Sequence, residues 1–411
     1  MLDLILAVFI ATYLGMAFGR WPGLAIDRTG IALIGAIVLV AAGALTLEGA
    51  ARAIDLPTLL LLFGLMIVSA QYAASGFYDG VAARVARMGG SPRKLLAGVI
   101  AVAGGLSALL ANDIVVFAMT PLLFVGLRQR GLNPTPYLIA LACAANAGSA
   151  ATLIGNPQNI LIGQIGNLDF VAFLGYCAVP ALLALAVVFA VIAWQWRGRW
   201  TDGVSDGVDL SAIPLARDKR QFAKALAATG VLLLLFFTDA PRELSALAVA
   251  ALLLLSRKVS SRELVGAVDY SLLLLFAGLF VVTGALAATP LAAEAFEGLA
   301  AAGWLPDRLA TLTPLALLLS NTIGNVPAVI LLLKVWPAPP DGALYGLALL
   351  STLAGNLLIA GSLANIIVAE RAAAAGVTLG FADHAKSGVP ITLISMAFAA
   401  IWLWITGALP F

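Results

Sequence analysis

The chain has 411 residues, 62% hydrophobic and 11% charged, and a net charge of +2. A soluble globular domain carries about 25% charge, so a soluble enzyme or a nucleic-acid-binding module is excluded. Apolar runs of roughly 18 residues or more, with few charges, make the chain an all-α polytopic membrane protein.

The first apolar run, 2–18, lacks a basic leader region and a small-residue cleavage site, and is read as a retained helix. Runs at 30–47 and 57–75 follow. The segment 77–88 is amphipathic, with Arg84 and Arg87, and is expected to lie along the interface. Next comes 95–127, interrupted at Ala111-Asn112-Asp113. Its limbs of about 16 and 14 residues, at about 1.5 Å each, need not cross a ~30 Å core, so a re-entrant hairpin is expected. Runs at 137–163 and 170–196 close a first half, 1–196, and 197–221 reads as a cytoplasmic linker rich in Asp, Gly and Arg. The second half, 222–411, repeats the order: 222–238, 243–256, 271–289, a broken hairpin 308–335, 343–374 and 389–407. The acidic segment 291–302 is its external counterpart to 77–88.

The repetition extends to residues. Asp55, Phe63 and Gly64 are echoed by Asp269, Phe276 and Gly278, and Gly155-x-x-x-Asn159-Ile160 by Gly361-x-x-x-Asn365-Ile366. Five crossings plus one hairpin per half would invert the second half relative to the first. With that topology, 19 of the 23 Lys and Arg residues fall on one side, leaving Arg52, Arg242, Arg308 and Lys334 on the other. The basic side is cytoplasmic, so both termini are expected outside a bacterial inner membrane.

Four breaks carry the functional expectation. They are Ala111-Asn112-Asp113, Gly155-Asn156-Pro157-Gln158-Asn159, Ser320-Asn321-Thr322 and Gly361-Ser362-Leu363-Ala364-Asn365. Opened helix ends at membrane depth expose N–H groups that attract anions and C=O groups that bind cations. No Lys or Arg falls near a break in sequence, so an anion is expected to be held by helix ends, amides, hydroxyls and a co-bound cation. Asp113 is the one acid adjacent to a break; it reads as a coupling-ion residue or as a cap for a limb starting at Ile114. The coupling-ion set is Asp113, Asn112, Gly155, Ser320, Asn321, Thr322 and Gly361; the substrate-facing set is Asn112, Asn156, Asn159, Asn321, Thr322, Ser362 and Asn365. Asn146, Ser149 and Thr152 read equally as path-lining or as packing positions. Cys143 and Cys177 read as buried free thiols. His384, the single histidine, reads as a solvated residue of a cytoplasmic connection. With that histidine in a loop and no ligand cluster, intramembrane hydrolysis and metalloenzyme chemistry have no candidates.

The stretches 112–121, 145–160, 320–327 and 361–365 resemble the ion transporter superfamily, which includes divalent anion–sodium symporters, citrate-transporter-like permeases, arsenite permeases and a class of sodium–proton antiporters. The likeness runs over nearly the whole chain and is nearest to bacterial anion permeases beside the arsenite permease branch. It implies a scaffold and a moving transport domain working as an elevator, usually in a homodimer. It also implies sodium and substrate carboxylates held at two Ser-Asn-Thr tips. Ser320, Asn321 and Thr322 match one tip; Ala111-Asn112-Asp113 departs at the other and supplies an acid. The expected function is therefore secondary active transport of a small inorganic or carboxylate anion coupled to H+ or Na+. Proton-coupled arsenite or antimonite efflux and sodium–proton antiport are the alternatives. No cofactor is expected beyond a Na+ ion at the hairpin tips, and the expected partners are the solute, the coupling ion, the bilayer and a second copy of the chain.

Overall fold

The computed structural model describes residues 1–19, 23–201 and 218–411. Most of the linker lies outside these, but its last residues open a helix. Among the described residues there are twenty α-helices. The first ten are α1 (Leu2–Phe18), α2 (Arg28–Ala41), α3 (Leu47–Ala53), α4 (Leu56–Ala74), α5 (Phe77–Ala86), α6 (Pro92–Leu109), α7 (Asn112–Gln129), α8 (Pro134–Ser149), α9 (Pro157–Ile165) and α10 (Phe170–Gln195). The rest are α11 (Lys219–Phe236), α12 (Arg242–Leu254), α13 (Ser261–Gly266), α14 (Tyr270–Ala287), α15 (Pro290–Ala301), α16 (Leu309–Thr322), α17 (Asn325–Val335), α18 (Asp341–Ala354), α19 (Leu363–Ala374) and α20 (Phe381–Ile405). Five of them, α4, α6, α10, α14 and α20, are long and apolar enough to cross a bilayer. The protein is a multi-pass membrane protein.

Local chemistry sets the helix starts. Asp55 accepts the Thr58 N–H at 2.9 Å to cap α4, and Asp269 accepts the Leu272 N–H at 3.0 Å to cap α14. Proline opens α6, α8 and α9 within the first two positions, where its missing N–H costs nothing.

Two groups of helices result. In one, α4 packs on α12 and α14 on α2, with α1 and α11 alongside. In the other, α6 packs on α8, α16 on α18, α10 on α20 and α7 on α19. The groups touch where α14 meets α17 and α4 meets α9. Helices α6 and α8 approach closely: a Cβ at Gly148 would lie 2.1 Å from the Gly104 carbonyl oxygen.

Several boundaries differ from the sequence reading. The run 30–47 splits, because Gly43 takes a positive φ of 70° and Thr46 caps the separate helix α3. Both limbs of the first broken segment run 18 residues, longer than expected, so length alone does not make it re-entrant. The limbs of the second are 14 and 11 residues.

Candidate substrate and coupling site

Four helix interruptions fall inside the second group. The chain opens at 110–111 between α6 and α7, at 150–156 between α8 and α9, at 323–324 between α16 and α17, and at 355–362 between α18 and α19.

Asn146, fully buried near the end of α8, ties three of these openings together. Its Nδ2 donates to Asn356 Oδ1 at 2.9 Å and to Asn365 Oδ1 at 3.1 Å. Its Oδ1 accepts from Ser362 Oγ at 2.9 Å and from Asn112 Nδ2 at 3.3 Å. Two donors and two acceptors are all that an amide side chain offers, so Asn146 is saturated.

Asn159 and Asn365 serve the opened backbone in matching ways. Asn159 Nδ2 donates to the carbonyls of Ser149 (3.2 Å) and Thr152 (2.9 Å), which lie 10 and 7 residues earlier. Asn365 Nδ2 donates to the carbonyls of Gly355 (2.7 Å) and Leu358 (3.0 Å), again 10 and 7 residues earlier. Each amide thereby satisfies carbonyls that lost their helical partners. Both residues were expected to face the solute, yet their N–H groups are spent on the backbone. Asn156 caps α9 through the Asn159 N–H at 2.8 Å and donates to Ser149 Oγ at 2.9 Å and Thr352 Oγ1 at 3.3 Å. Ser362 caps α19 through the Ala364 N–H at 3.2 Å. Gly155 accepts the Asn112 N–H at 3.2 Å, and a Cβ there would sit 2.3 Å from the Ser149 carbonyl oxygen.

At the second tip the break is displaced from its expected place. Ser320, Asn321 and Thr322 are the last helical residues of α16, because their neighbourhood re-bonds to the preceding turn. Asn321 Nδ2 donates to the carbonyls of Leu317 and Ala354, both at 2.9 Å, and the exposed Thr322 returns its hydroxyl to the Leu318 carbonyl at 2.9 Å. The opening falls instead at Gly324, whose φ of 95° suits glycine. Two polar atoms here have no hydrogen-bond partner: Ser320 Oγ, on a fully buried residue, and Asn321 Oδ1, which lies against Gly361.

The expectation that no basic residue approaches a break fails in three dimensions. Arg28, at the start of α2, brings Nη1 to 4.0 Å from where a Gly324 Cβ would stand. Sequence distance hid this, since α2 belongs to the other helix group.

Asp113 also departs from one expectation. The helix begins at Asn112 with Ala111 at the cap position and no side-chain cap bond, so Asp113 lies inside the first turn and does not cap. It lines a cavity of about 60 Å³ with Ala111, Asn156 and Pro157 and, from the other group, Met66 and Asp269. Two carboxylates bordering so small a space can hold one cation or one proton between them. Asp269 and Leu272 also line a larger opening of about 700 Å³, with Arg28, Ile359, Ala360 and Glu370. Asp269 therefore stands between the two spaces, beyond the interfacial role its sequence position suggests.

His384 was expected in solvent. It lies fully buried in the first turn of α20, with Nε2 3.0 Å from the Asn356 carbonyl oxygen. Asn356, Thr352 and Gln158 complete the polar cluster; Gln158 was read only as part of its break, and Asn356 and Thr352 were not singled out in the sequence. The i, i+4 spacing of Thr352 and Asn356 facing the break at 361 was the available signal. Cys143 and Cys177 are buried free thiols.

Broken helices stapled by asparagines around a saturated amide hub in a multi-pass protein define a secondary transporter. The chain matches the family described as "Citrate transporter" over residues 5–343 and belongs to that family, within the ion transporter superfamily. It is 29% identical to a 46 kDa membrane protein of Mycobacterium leprae, over 97% of each chain. It is 28% identical to the silicon efflux transporter LSI3 of Oryza sativa subsp. japonica, over 92% of this chain and 93% of that one. Its fold is similar to that of the YdaH transporter of Alcanivorax borkumensis, with a TM-score of 0.59 and 16% identity over 99% and 98% of the two chains. The rice and Alcanivorax proteins are described as transporters, and the family that this chain belongs to is one of transporters, not enzymes.

Proposed function

We propose that this secondary transporter moves a small inorganic or carboxylate anion by an elevator cycle coupled to H+ or Na+. The observation that carries the reading is the pair of asparagine staples with identical 10- and 7-residue spans, of which the Asn365 staple also bonds Asn146. Two inverted repeats account for that identity, and for the reciprocal packing of α4 on α12 and α14 on α2. In this reading α1–α4 and α11–α14 form the scaffold, and the group holding the breaks is the mobile body. Asp113 carries the coupling ion beside Asp269, while Ser320 and Asn321 supply unpaired oxygens at the opposite tip. The distribution of Lys and Arg supports external termini.

A second reading has its own support. The hub is built of uncharged amides and hydroxyls, which suits a neutral hydroxide such as silicic or arsenous acid, and one relative is a silicon efflux transporter. Proteoliposomes with imposed proton or sodium gradients separate the readings. Gradient-driven accumulation of sulfate, phosphate or citrate supports the anion reading. Accumulation of arsenite or silicic acid alone supports the second, and sodium-dependent collapse of a pH gradient without solute would show cation exchange instead.

A further inference from the structure

We infer that Arg28 is an anion-binding residue that sets the charge class of the solute at the second hairpin tip; this deepens the anion reading and rests on it. Arg28 is half-buried and, among the described residues, makes no ion pair, and its Nε has no hydrogen-bond partner. A guanidinium stripped of water needs an acceptor. The other helix that opens on an arginine shows how such a residue is satisfied by the fold alone. Arg242, at the start of α12, donates Nη1 to the Gly163 carbonyl at 3.0 Å and Nη2 to the Leu168 carbonyl. Among the described residues Arg28 makes no such hydrogen bond; Nε and Nη2 lie 3.7 and 3.8 Å from where a Gly19 Cβ would stand, and Nη1 reaches toward Gly324.

What it faces is suited to an anion. Gly324, the N-cap of the 11-residue helix α17, makes no side-chain cap bond; Asn325 Oδ1 accepts the Val326 N–H at 2.9 Å and Pro327 has no N–H, so the Asn325 N–H and the positive end of the helix dipole lie at the tip. Ser320 Oγ, on a fully buried residue four positions before Gly324, lacks a partner and can donate. The opening of about 700 Å³ that Arg28 also lines, with Thr29, Ser271 and Ile359 but without Gly324 or Ser320, is large enough to admit a tetrahedral oxyanion or a small carboxylate as far as the guanidinium. Three carboxylates also line this opening, Glu370 and the two caps Asp27 and Asp269, which accept the Gly30 N–H at 2.8 Å and the Leu272 N–H at 3.0 Å, so without the Arg28 guanidinium the space would repel an anion. The ligand class is therefore a small oxyanion or carboxylate bound in a forked contact, geometry that a guanidinium offers and an ammonium does not.

The test uses purified full-length protein, wild type, Arg28→Gln and Arg28→Lys. Thermal-shift titrations use sulfate, phosphate and citrate against chloride at matched ionic strength, and uptake of the same anions and of arsenite is measured in proteoliposomes. Wild type should be stabilised by at least one of the three anions. Arg28→Gln should weaken that binding about tenfold to hundredfold, with Arg28→Lys between the two; arsenite uptake should not change. If Arg28→Gln does not fold, as its melting without ligand would show, Arg28→Lys carries the comparison. Equal anion affinity in wild type and variants, or no stabilisation of wild type by any of the three, overturns the inference. Arg28-dependent binding without uptake would instead leave the inference standing and remove the transport reading.

Discussion

Replacing Asn146 tests the hub directly. Asn146→Ala deletes four hydrogen bonds and strands Asn356 Oδ1, Asn365 Oδ1, Ser362 Oγ and Asn112 Nδ2 in the interior. At a net ~1 kcal/mol per bond, the loss is about 4 kcal/mol, and more where a stranded group finds no water. Asn146→Asp has nearly the same shape but should be worse than Ala. It keeps the acceptor for Ser362 and Asn112 yet turns an acceptor toward the oxygens of Asn356 and Asn365. Neither neighbour can flip to help, because Asn365 Nδ2 is held by the Gly355 and Leu358 carbonyls and Asn356 Nδ2 by the Cys143 carbonyl. Unfolding in detergent, followed by circular dichroism against temperature, reads the order wild type, Ala, Asp. An aspartate variant as stable as wild type would refute the assigned amide orientations and the hub with them.

Asp113→Asn should leave the melting temperature within a few degrees of wild type while abolishing gradient-driven accumulation in proteoliposomes; wild-type-like accumulation would reduce Asp113 to a residue of the helix start. Gly148→Ala should destabilise by about 1–3 kcal/mol, because its Cβ would meet Gly104 backbone atoms at 2.1 and 2.4 Å and no flexible side chain can yield; unfolding measurements check this. His384→Leu leaves the Asn356 carbonyl without its 3.0 Å partner and should cost about 1–3 kcal/mol, with transport unchanged once the protein is folded. That outcome is read from melting curves and initial uptake rates together.

Hydropathy located the helices because lipid imposes length and composition on each. It located the breaks because Gly, Asn and Pro clusters cannot continue a helix in an apolar run, as at 155–159 and 361–365. It did not reveal how the breaks are satisfied. Asn159 and Asn365 looked like residues turned to a ligand; their spacing to the carbonyls they hold becomes meaningful only once the intervening backbone is seen to open. Ser320-Asn321-Thr322 was misplaced by three residues because short polar side chains can return to the helix they end, and Gly324 was the better marker. His384 was misjudged because a cluster with Asp383 and Lys386 reads as solvated, although one face of the first turn of α20 is buried. Arg28 and Asp269 illustrate the general limit: residues far apart in the chain converge through packing between helix groups, which no local pattern records.

Each opened segment finds these backbone partners without leaving its own helix group. Asn159, Asn365 and Asn321 bond to carbonyls of the same helix group, and so does the Asn112 N–H. Among the described residues, hydrogen bonds that bridge the groups include Arg242 to Gly163 and Leu168, Gln164 to Glu243, Lys334 to Ala53, and the long Tyr13 contact to Pro327 near the second tip. The unwound stretches thus keep these hydrogen bonds within one helix group, and in the proposed elevator cycle that group would carry them along and give up the bridging ones.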